Sequence, residues 1–386
     1  MLFRYYLSVA LSRIQRTGRP LTQAVLTCIL CISISGQEWK TVHDGVEYAE
    51  VTREISGLKV NMNLLRLDLT KVRLDVHHAL DKAIGLETTS SIAKRKGAVA
   101  AINSGFFRLD KSEFAGDNVG FLMIDDYLWS EPTMERVAIG IVNRRNRTEV
   151  FFDRWDFAGY LRLKSGDRPD FLKGLNREIK NDEVIAFTST FGPLVHLKVD
   201  QVGLVVHKNR VLRRCTEDCE VPVKGFVLVG SGERANYLRQ VKTGDRVELV
   251  WDIRGENNTQ PAYKLQDAVA GVPQLIKDGK IDITWEQEKT TKAFVETRHP
   301  RSAVAKLRDG KFLMITVDGR SESSGGIGLQ DLAEYLLGLG ATDAMNLDGG
   351  GSTTMFLDGR VVNHPSDKEG ERKVGDAILV TLRKKK

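Results

Sequence analysis

Hydrophobic and polar positions alternate through residues 40–80 of the chain, as in LKVNMNLLRLDLT (58–70) and VRLDVHHAL (72–80). A period of two predicts β-strands with one buried face. His77 and His78 close one such strand, and a solvated strand end is the expectation for both, with metal ligation the alternative. ETTSSIAKRKG (87–97) carries a capping pattern and a terminal glycine, so it predicts a short helix. That helix feeds the apolar run AVAAINSGFF, which breaks at Asn103, Ser104 and Gly105. The stretch DRWDFAGYLRLKSGDRPD (153–170) has no clean period. From residue 221 the pattern sharpens into a buried strand VKGFVLVGSG, a short helix ERANYLRQVKTG and a strand DRVELVWDI.

The strand-like runs LIKDGKIDI, VAKLRDGKFLMITVDG and TMFLDGRVV each hold an Asp-Gly pair, at Asp278, Asp309 and Asp358. Asp-Gly between two apolar runs is a hairpin signal, and these three predict exposed turns without chemistry. Asp318 and Asp348 differ. Each ends a buried apolar strand, and GIGLQDLAEYLLGLG lies between them. Leu329, Leu332, Ala333, Leu336, Leu337 and Leu339 fall on one face of a helix that closes at Gly340. Strand, helix and strand in this order predict a βαβ unit whose parallel strands bring both aspartates to one sheet edge. Such an edge is where ligands bind in open α/β sheets. In NLDGGGST (346–353) three glycines follow the second acid. Stripped of side chains, Gly349, Gly350 and Gly351 would let a ligand approach the backbone, and their N–H groups with Ser352 beside them could cradle an anion. The fold class that follows is α+β: a mixed β-sheet core with few helices and a C-terminal βαβ unit carrying the site.

Composition is that of a globular protein, 41% hydrophobic and 28% charged over 386 residues. Residues 1–35 stand apart. Arg4, Arg13, Arg16 and Arg19 precede a short apolar run from Leu21 to Ser35, and no acid is present. A basic start, a core too short to span a bilayer and a small-x-small end read as a secretory signal cut before Gly36, with a retained anchor as the alternative. Its four arginines account for four of the formal charges of +6, so the remainder carries +2 and gives no ground for nucleic-acid binding. The organisation expected is a signal at 1–35, a β-rich segment at 36–84 and one large domain at 85–386, in a protein that is exported: secreted, periplasmic or attached to the cell envelope. The mature chain keeps two cysteines, Cys215 and Cys219 in CTEDC, and too few partners exist for a zinc site, so a local structural disulfide is expected.

ETRHPRSAV adds Arg298, His299 and Arg301 just before a strand, and a guanidinium fork suits phosphate or carboxylate. The segments AINSGFF, GLNREIKNDEVIAFTSTFG, VKGFVLVGSG, GVPQLIKDGKI, RHPRSAVAKLRDGKFLMITVDGR, GLQDLAEYLLGLGATDAMNLDGGGST and ERKVGDAILV occur in the order seen in the phosphodiester glycosidase family. The chain resembles that family from about residue 85 to its end, least over residues 125–175. The resemblance implies hydrolysis of a sugar-1-phosphodiester, GlcNAc-1-phosphodiester-like, on the glycosidic side, releasing a free sugar and leaving a phosphomonoester. It places Asn103, Arg301, Asp318, Arg320, Asp348 and the Gly349–Gly351 turn around the pocket. One departure is Ser104, where the family commonly carries glycine. Glycosidic cleavage passes through an oxocarbenium-like state that a carboxylate stabilises. Asp318 and Asp348 are the candidate pair, His299 the candidate acid, and Arg301 and Arg320 the groups that would neutralise phosphate. The expected partner is a sugar-phosphate or cell-envelope glycan, with no stable membrane span after signal cleavage. No cofactor is required, and a divalent cation between carboxylate and phosphate stays open. Two other readings remain: a non-catalytic binding protein for anionic glycans or exopolysaccharide, and a phosphoesterase that breaks the P–O bond.

Overall fold

The structure is a computed structural model that describes residues 38–133, 135–163, 170–256 and 265–384. The expected signal at 1–35 lies outside the described residues. Among the described residues, no helix is long and apolar enough to cross a membrane.

Strands dominate. The site sheet has eight, in the order Lys40–His43, Val46–Ile55, Leu58–Leu67, Phe312–Val317, Arg301–Leu307, Ala341–Asn346, Gln274–Lys277 and Lys280–Ile281. Every pairing in it is antiparallel. The alternation read in residues 58–67 is that of its third strand, which buries Val60, Met62, Leu64, Leu65 and Leu67. A five-stranded sheet of Arg360–Val361, Met355–Leu357, Ala100–Asn103, Asp376–Leu382 and Val72–His78 packs on it through Leu65, Leu67, Ile102, Met314, Met345 and Ile378. The helix Leu329–Gly338 covers the other face, burying Leu329, Leu332, Ala333 and Leu336 against Leu313, Ile315 and Ala344. Beyond these sheets, Val184–Thr188, Val202–His207, Arg210–Cys215 and Gly225–Gly230 build most of a second five-stranded sheet with its own core. Cys215 and Cys219 are joined there in a disulfide with Cα atoms 5.9 Å apart, and Gly203 leaves the space that their sulfurs occupy.

Three sequence expectations need correction. The helix Leu329–Gly338 does connect two strands running the same way, but they are not neighbours. The Arg301–Leu307 strand lies between them, antiparallel to both, because a tight turn at Asp309-Gly310 folds it back onto Phe312–Val317 before the helix begins. The crossover is therefore interrupted, and no parallel pair forms at the site. Second, residues 36–84 are not a layer apart. Leu58–Leu67 pairs with Phe312–Val317 and Val72–His78 pairs with Asp376–Leu382, so Trp39–Lys386 forms one unit. Third, His78 is no solvated strand end: it is 1% exposed and stacks beside Trp129.

Candidate active site

The central strand of the sheet fixes the site's geometry. Arg301 lies opposite Val317, and Ala303 lies opposite Asn346. The amino end of Arg301–Leu307 thus meets the carboxyl ends of both flanking strands. Asp318 is one residue past the first strand and Asp348 two residues past the second, so both stand on one rim, their strands separated by ~10 Å, two interstrand spacings. Asp318 extends the sheet by donating its N–H to Asn61 O at 2.9 Å. Asp348 turns away from it and donates its N–H to Ser104 O of the second sheet, also at 2.9 Å. The rim is where the two sheets join.

Asn103 makes that junction. Its Nδ2 donates to Asp348 O at 2.7 Å, and its Oδ1 accepts from Ser302 Oγ at 2.7 Å and from Thr354 N at 3.0 Å. It is fully buried, so it locks the strand ends together and orients Asp348 from beneath. Ser104 is equally buried, and its hydroxyl donates to Asp376 Oδ1. Asp376 also accepts from Gly105 N at 2.6 Å and Asn118 Nδ2 at 2.5 Å, so the extra hydroxyl at position 104 is absorbed by the protein.

The three glycines prove to have different causes. Gly350 has φ +60°, which an L side chain adopts only under strain, and a Cβ there would meet Arg320 Nη2 at 3.0 Å. At Gly349 a Cβ would sit 2.8 Å from Pro300 O. At Gly351 it would strike the Asp367–Arg372 ion pair, in which Arg372 Nε and Nη2 hold the two carboxylate oxygens at 2.7 and 2.9 Å. Two of the three are therefore required by close protein neighbours. Ser352 is buried, and its hydroxyl approaches Asp348 without making a hydrogen bond; the hydroxyls of Thr353 and Thr354 are also unpartnered.

Both carboxyls are held above their ordinary pKa. Asp348 is pushed up to about 6 by burial, against the pull of the Ser352 hydroxyl and Arg372. Asp318, 3% exposed, is raised by burial, opposed by His364 and Asn363. The cations are less usual still. Arg301 is 1% exposed, and its guanidinium donates to the carbonyls of Phe294 (2.6 Å), Thr297 (2.9 Å) and Ile327 (3.4 Å) while lying over the Phe294 ring. Among the described residues it forms no ion pair, and burial with the nearby Arg320 lowers it to about 10. Arg320 is exposed, has φ +59° and points Nη2 at His299 Nδ1, 3.5 Å away. His299 is pinned through its backbone to Ile327. Burial, then Arg301 and Arg320, lower its pKa, so its imidazole is neutral at neutral pH and better suited to accept a proton than to give one. Arg298, by contrast, is spent on Asp331 at 3.2 Å and on two carbonyls.

The structure thus brings Asn103, His299, Arg301, Asp318, Arg320, Asp348 and the Gly349–Ser352 turn to one rim. Sequence reasoning missed four more groups there. Asn363 Nδ2 bridges Asp318 Oδ1 (3.4 Å) and Thr353 O (3.0 Å), His364 donates its N–H to Asp318 Oδ1 (3.0 Å), and Arg372 and Asp376 flank Asp348. Arg372 and Asp376 lie inside the quoted segment ERKVGDAILV. Asn363 and His364, in VVNHPSD, had only a signal of polar residues directly after a strand. Among the described residues, no group of three or more His, Cys, Asp or Glu side chains is arranged to hold a metal.

Residues 196–381 match the phosphodiester glycosidase family. A SPbeta prophage-derived uncharacterized protein of Bacillus subtilis is 38% identical over 107 residues, covering 28% of this chain and 16% of that protein. N-acetylglucosamine-1-phosphodiester alpha-N-acetylglucosaminidase of Bos taurus is 39% identical over 108 residues, covering 26% of this chain and 20% of that enzyme. The alignments therefore span about a fifth or less of those relatives. A crystal structure of a hypothetical protein from Synechocystis shares the fold, with a TM-score of 0.76 at 22% identity, covering 90% of this chain and 64% of that one.

Proposed function

The chain belongs to the phosphodiester glycosidase family through residues 196–381, and from that premise we propose that it hydrolyses a sugar-1-phosphodiester at the C1–O bond, on the model of the N-acetylglucosamine-1-phosphodiester glycosidases it resembles. The observation that carries this is a buried guanidinium without a counterion. Arg301 and Arg320 form no ion pair among the described residues, and they flank the Gly349–Gly350 backbone. Leaving a buried charge unmatched costs several kcal/mol unless a ligand matches it. A phosphodiester supplies the missing negative charge, and the exposed Arg320 guanidinium can offer its fork to the phosphate oxygens. Asp348, held beside the turn by Asn103 and Ser104, then faces the sugar carbon and stabilises the positive charge that develops there. Asp318 is the second carboxyl on the same rim. An exported location and a glycan of the cell envelope as substrate are part of this reading, and they rest on the N-terminal segment.

The test is turnover of a GlcNAc-1-phosphodiester in heavy-oxygen water. The label is expected in the sugar, which reports C–O cleavage. Label in the phosphate would assign a phosphoesterase instead. Binding without any hydrolysis, unchanged in Asp348→Asn, would make the protein a glycan-binding module.

A further inference from the structure

We propose that His364 and Asp318 form the proton-handling unit of this site, with Asp318 as the positioning carboxylate and His364 Nε2 as the atom that exchanges a proton with the substrate. The inference rests on the phosphodiester reading above and adds a residue and a role to it. Asp318 is poorly placed to act on a sugar directly. It is 3% exposed, and residues 363–364 occupy both of its oxygens. Oδ1 receives the His364 N–H at 3.0 Å and Asn363 Nδ2 at 3.4 Å, and Oδ2 faces His364 Nδ1 at 3.4 Å.

His364 is the reverse: its side chain is 88% exposed, it stands at the mouth of the rim, and Nε2 has no partner among the described residues. Its backbone is stiff for two reasons. Its N–H is held by Asp318, and Pro365 follows it, which restricts His364 to extended conformations. A carboxylate facing Nδ1 draws the ring's N–H toward itself, which leaves Nε2 as the nitrogen free to meet the substrate. Among the described residues Asp318 is the charged group against the ring, and the Asp318 charge also reaches Tyr48, two strands away on Val46–Ile55. His299 is less suited to this work, because burial, and then Arg301 and Arg320, depress its pKa.

The chemistry suits an imidazole. The C1–O bond breaks with its electron pair staying on the phosphate oxygen. His364 Nε2–H gives that oxygen a proton, water adds its oxygen to C1, and the water proton passes to the Asp348 carboxylate and on to solvent, from which the imidazole is recharged. The products are a free sugar and a phosphomonoester. A phosphomonoester ionises with a second pKa of about 6, so the departing oxygen readily accepts a proton from a positioned donor near neutral pH.

His364→Gln in the full chain is the deciding variant, since the side chain is exposed and its loss leaves packing intact. It is expected to lower kcat ~10²-fold or more with KM little changed, and to remove the alkaline limb of the pH profile. Aryl phosphodiesters, whose leaving phosphate needs less protonation, should lose less. Nitrogen NMR of the parent should show the neutral ring protonated on Nδ1, and Asp318→Asn should abolish that preference. Unchanged kcat and alkaline limb in His364→Gln, with Asp348→Asn inactive, would overturn the dyad and leave the site reading standing. A parent that cleaves no sugar phosphodiester would sink the site reading, and a neutral ring protonated on Nε2 would then overturn the dyad independently.

Discussion

The two ends of the site sheet are built from the same strands and treat charge in opposite ways. At the end away from the site, Glu47 holds Arg66 through both oxygens, at 2.8 and 3.1 Å, and also takes Lys311 at 2.9 Å. Arg66 lies over the Trp39 ring, and the hydrogen bond from Arg66 is the main reason that the Glu47 pKa is lowered. At the site end, Arg301 is buried among carbonyls and the Phe294 ring with no counterion among the described residues, Arg320 sits in a left-handed conformation, and burial raises both aspartates. One end has its charges matched within the fold; the other leaves them to be matched by something else. Charges held at such expense mark a functional end, whereas matched, half-exposed pairs do little beyond local order.

The largest effect that sharpens this contrast is expected from Asp348→Asn, with kcat reduced ~10³-fold in the hydrolysis assay. Arg301→Gln should follow, raising KM ~10- to 100-fold, which corresponds to losing one or two charged hydrogen bonds to phosphate. Equal loss of kcat with KM unchanged would remove Arg301 from phosphate binding.

Stability should show the same division. Asp348 has a pKa of about 6 in the folded chain against the ordinary 3.8, so between those values the folded state keeps a proton that the unfolded chain has released. The parent therefore loses stability as pH rises from about 4 to about 6, by at most ~3 kcal/mol. Asp348→Asn should lack this loss and melt higher than the parent at neutral pH, though not at pH ~4. A parallel pH dependence in both proteins would rule out the buried-acid reading.

Matched glycine substitutions sharpen the contrast further. Gly350→Ala and Gly310→Ala both force a side chain into positive φ, +60° and +83°, and each should cost ~1–2 kcal/mol in a denaturant melt. Gly310 has open space around it, so its variant should keep full activity, whereas Gly350→Ala crowds Arg320 and should raise KM as well. The smallest effect is expected at the matched end: Lys311→Met should change stability by no more than ~1 kcal/mol and leave turnover alone. A large loss of activity from Lys311→Met would erase the distinction between the ends.

Much of the sheet was legible because burial imposes period. The alternation in 58–67, the capped helix at Thr89–Arg95 and the apolar face of Leu329–Gly338 follow directly from it. The hairpin aspartates were separable from the strand-end ones by what flanks them: Asp278 and Asp358 have positive φ in tight turns. Less legible was anything set by non-neighbours. Nothing local says that the Arg301–Leu307 strand inserts between Phe312–Val317 and Ala341–Asn346, or that residues 40–78 close the same sheets as the C-terminal strands. The glycine run was legible only in part, for the same reason. Its need for bare backbone was visible, but the groups pressing on it, Pro300 O and the Asp367–Arg372 pair, come from elsewhere in the chain.

By itself, then, the sequence determined most of the strands and helices, though not the long strand Thr148–Leu163, and that acids stand at two strand ends, since these depend on period, propensity and turn residues read within a few positions. Only the tertiary structure decided that Arg301 would be buried without a counterion, that Asn103 would clamp the two sheets, and that Asp318 would face His364 across 46 residues of chain. Desolvation and pairing belong to the space around a side chain, and in an antiparallel sheet that space is filled by residues far away in sequence.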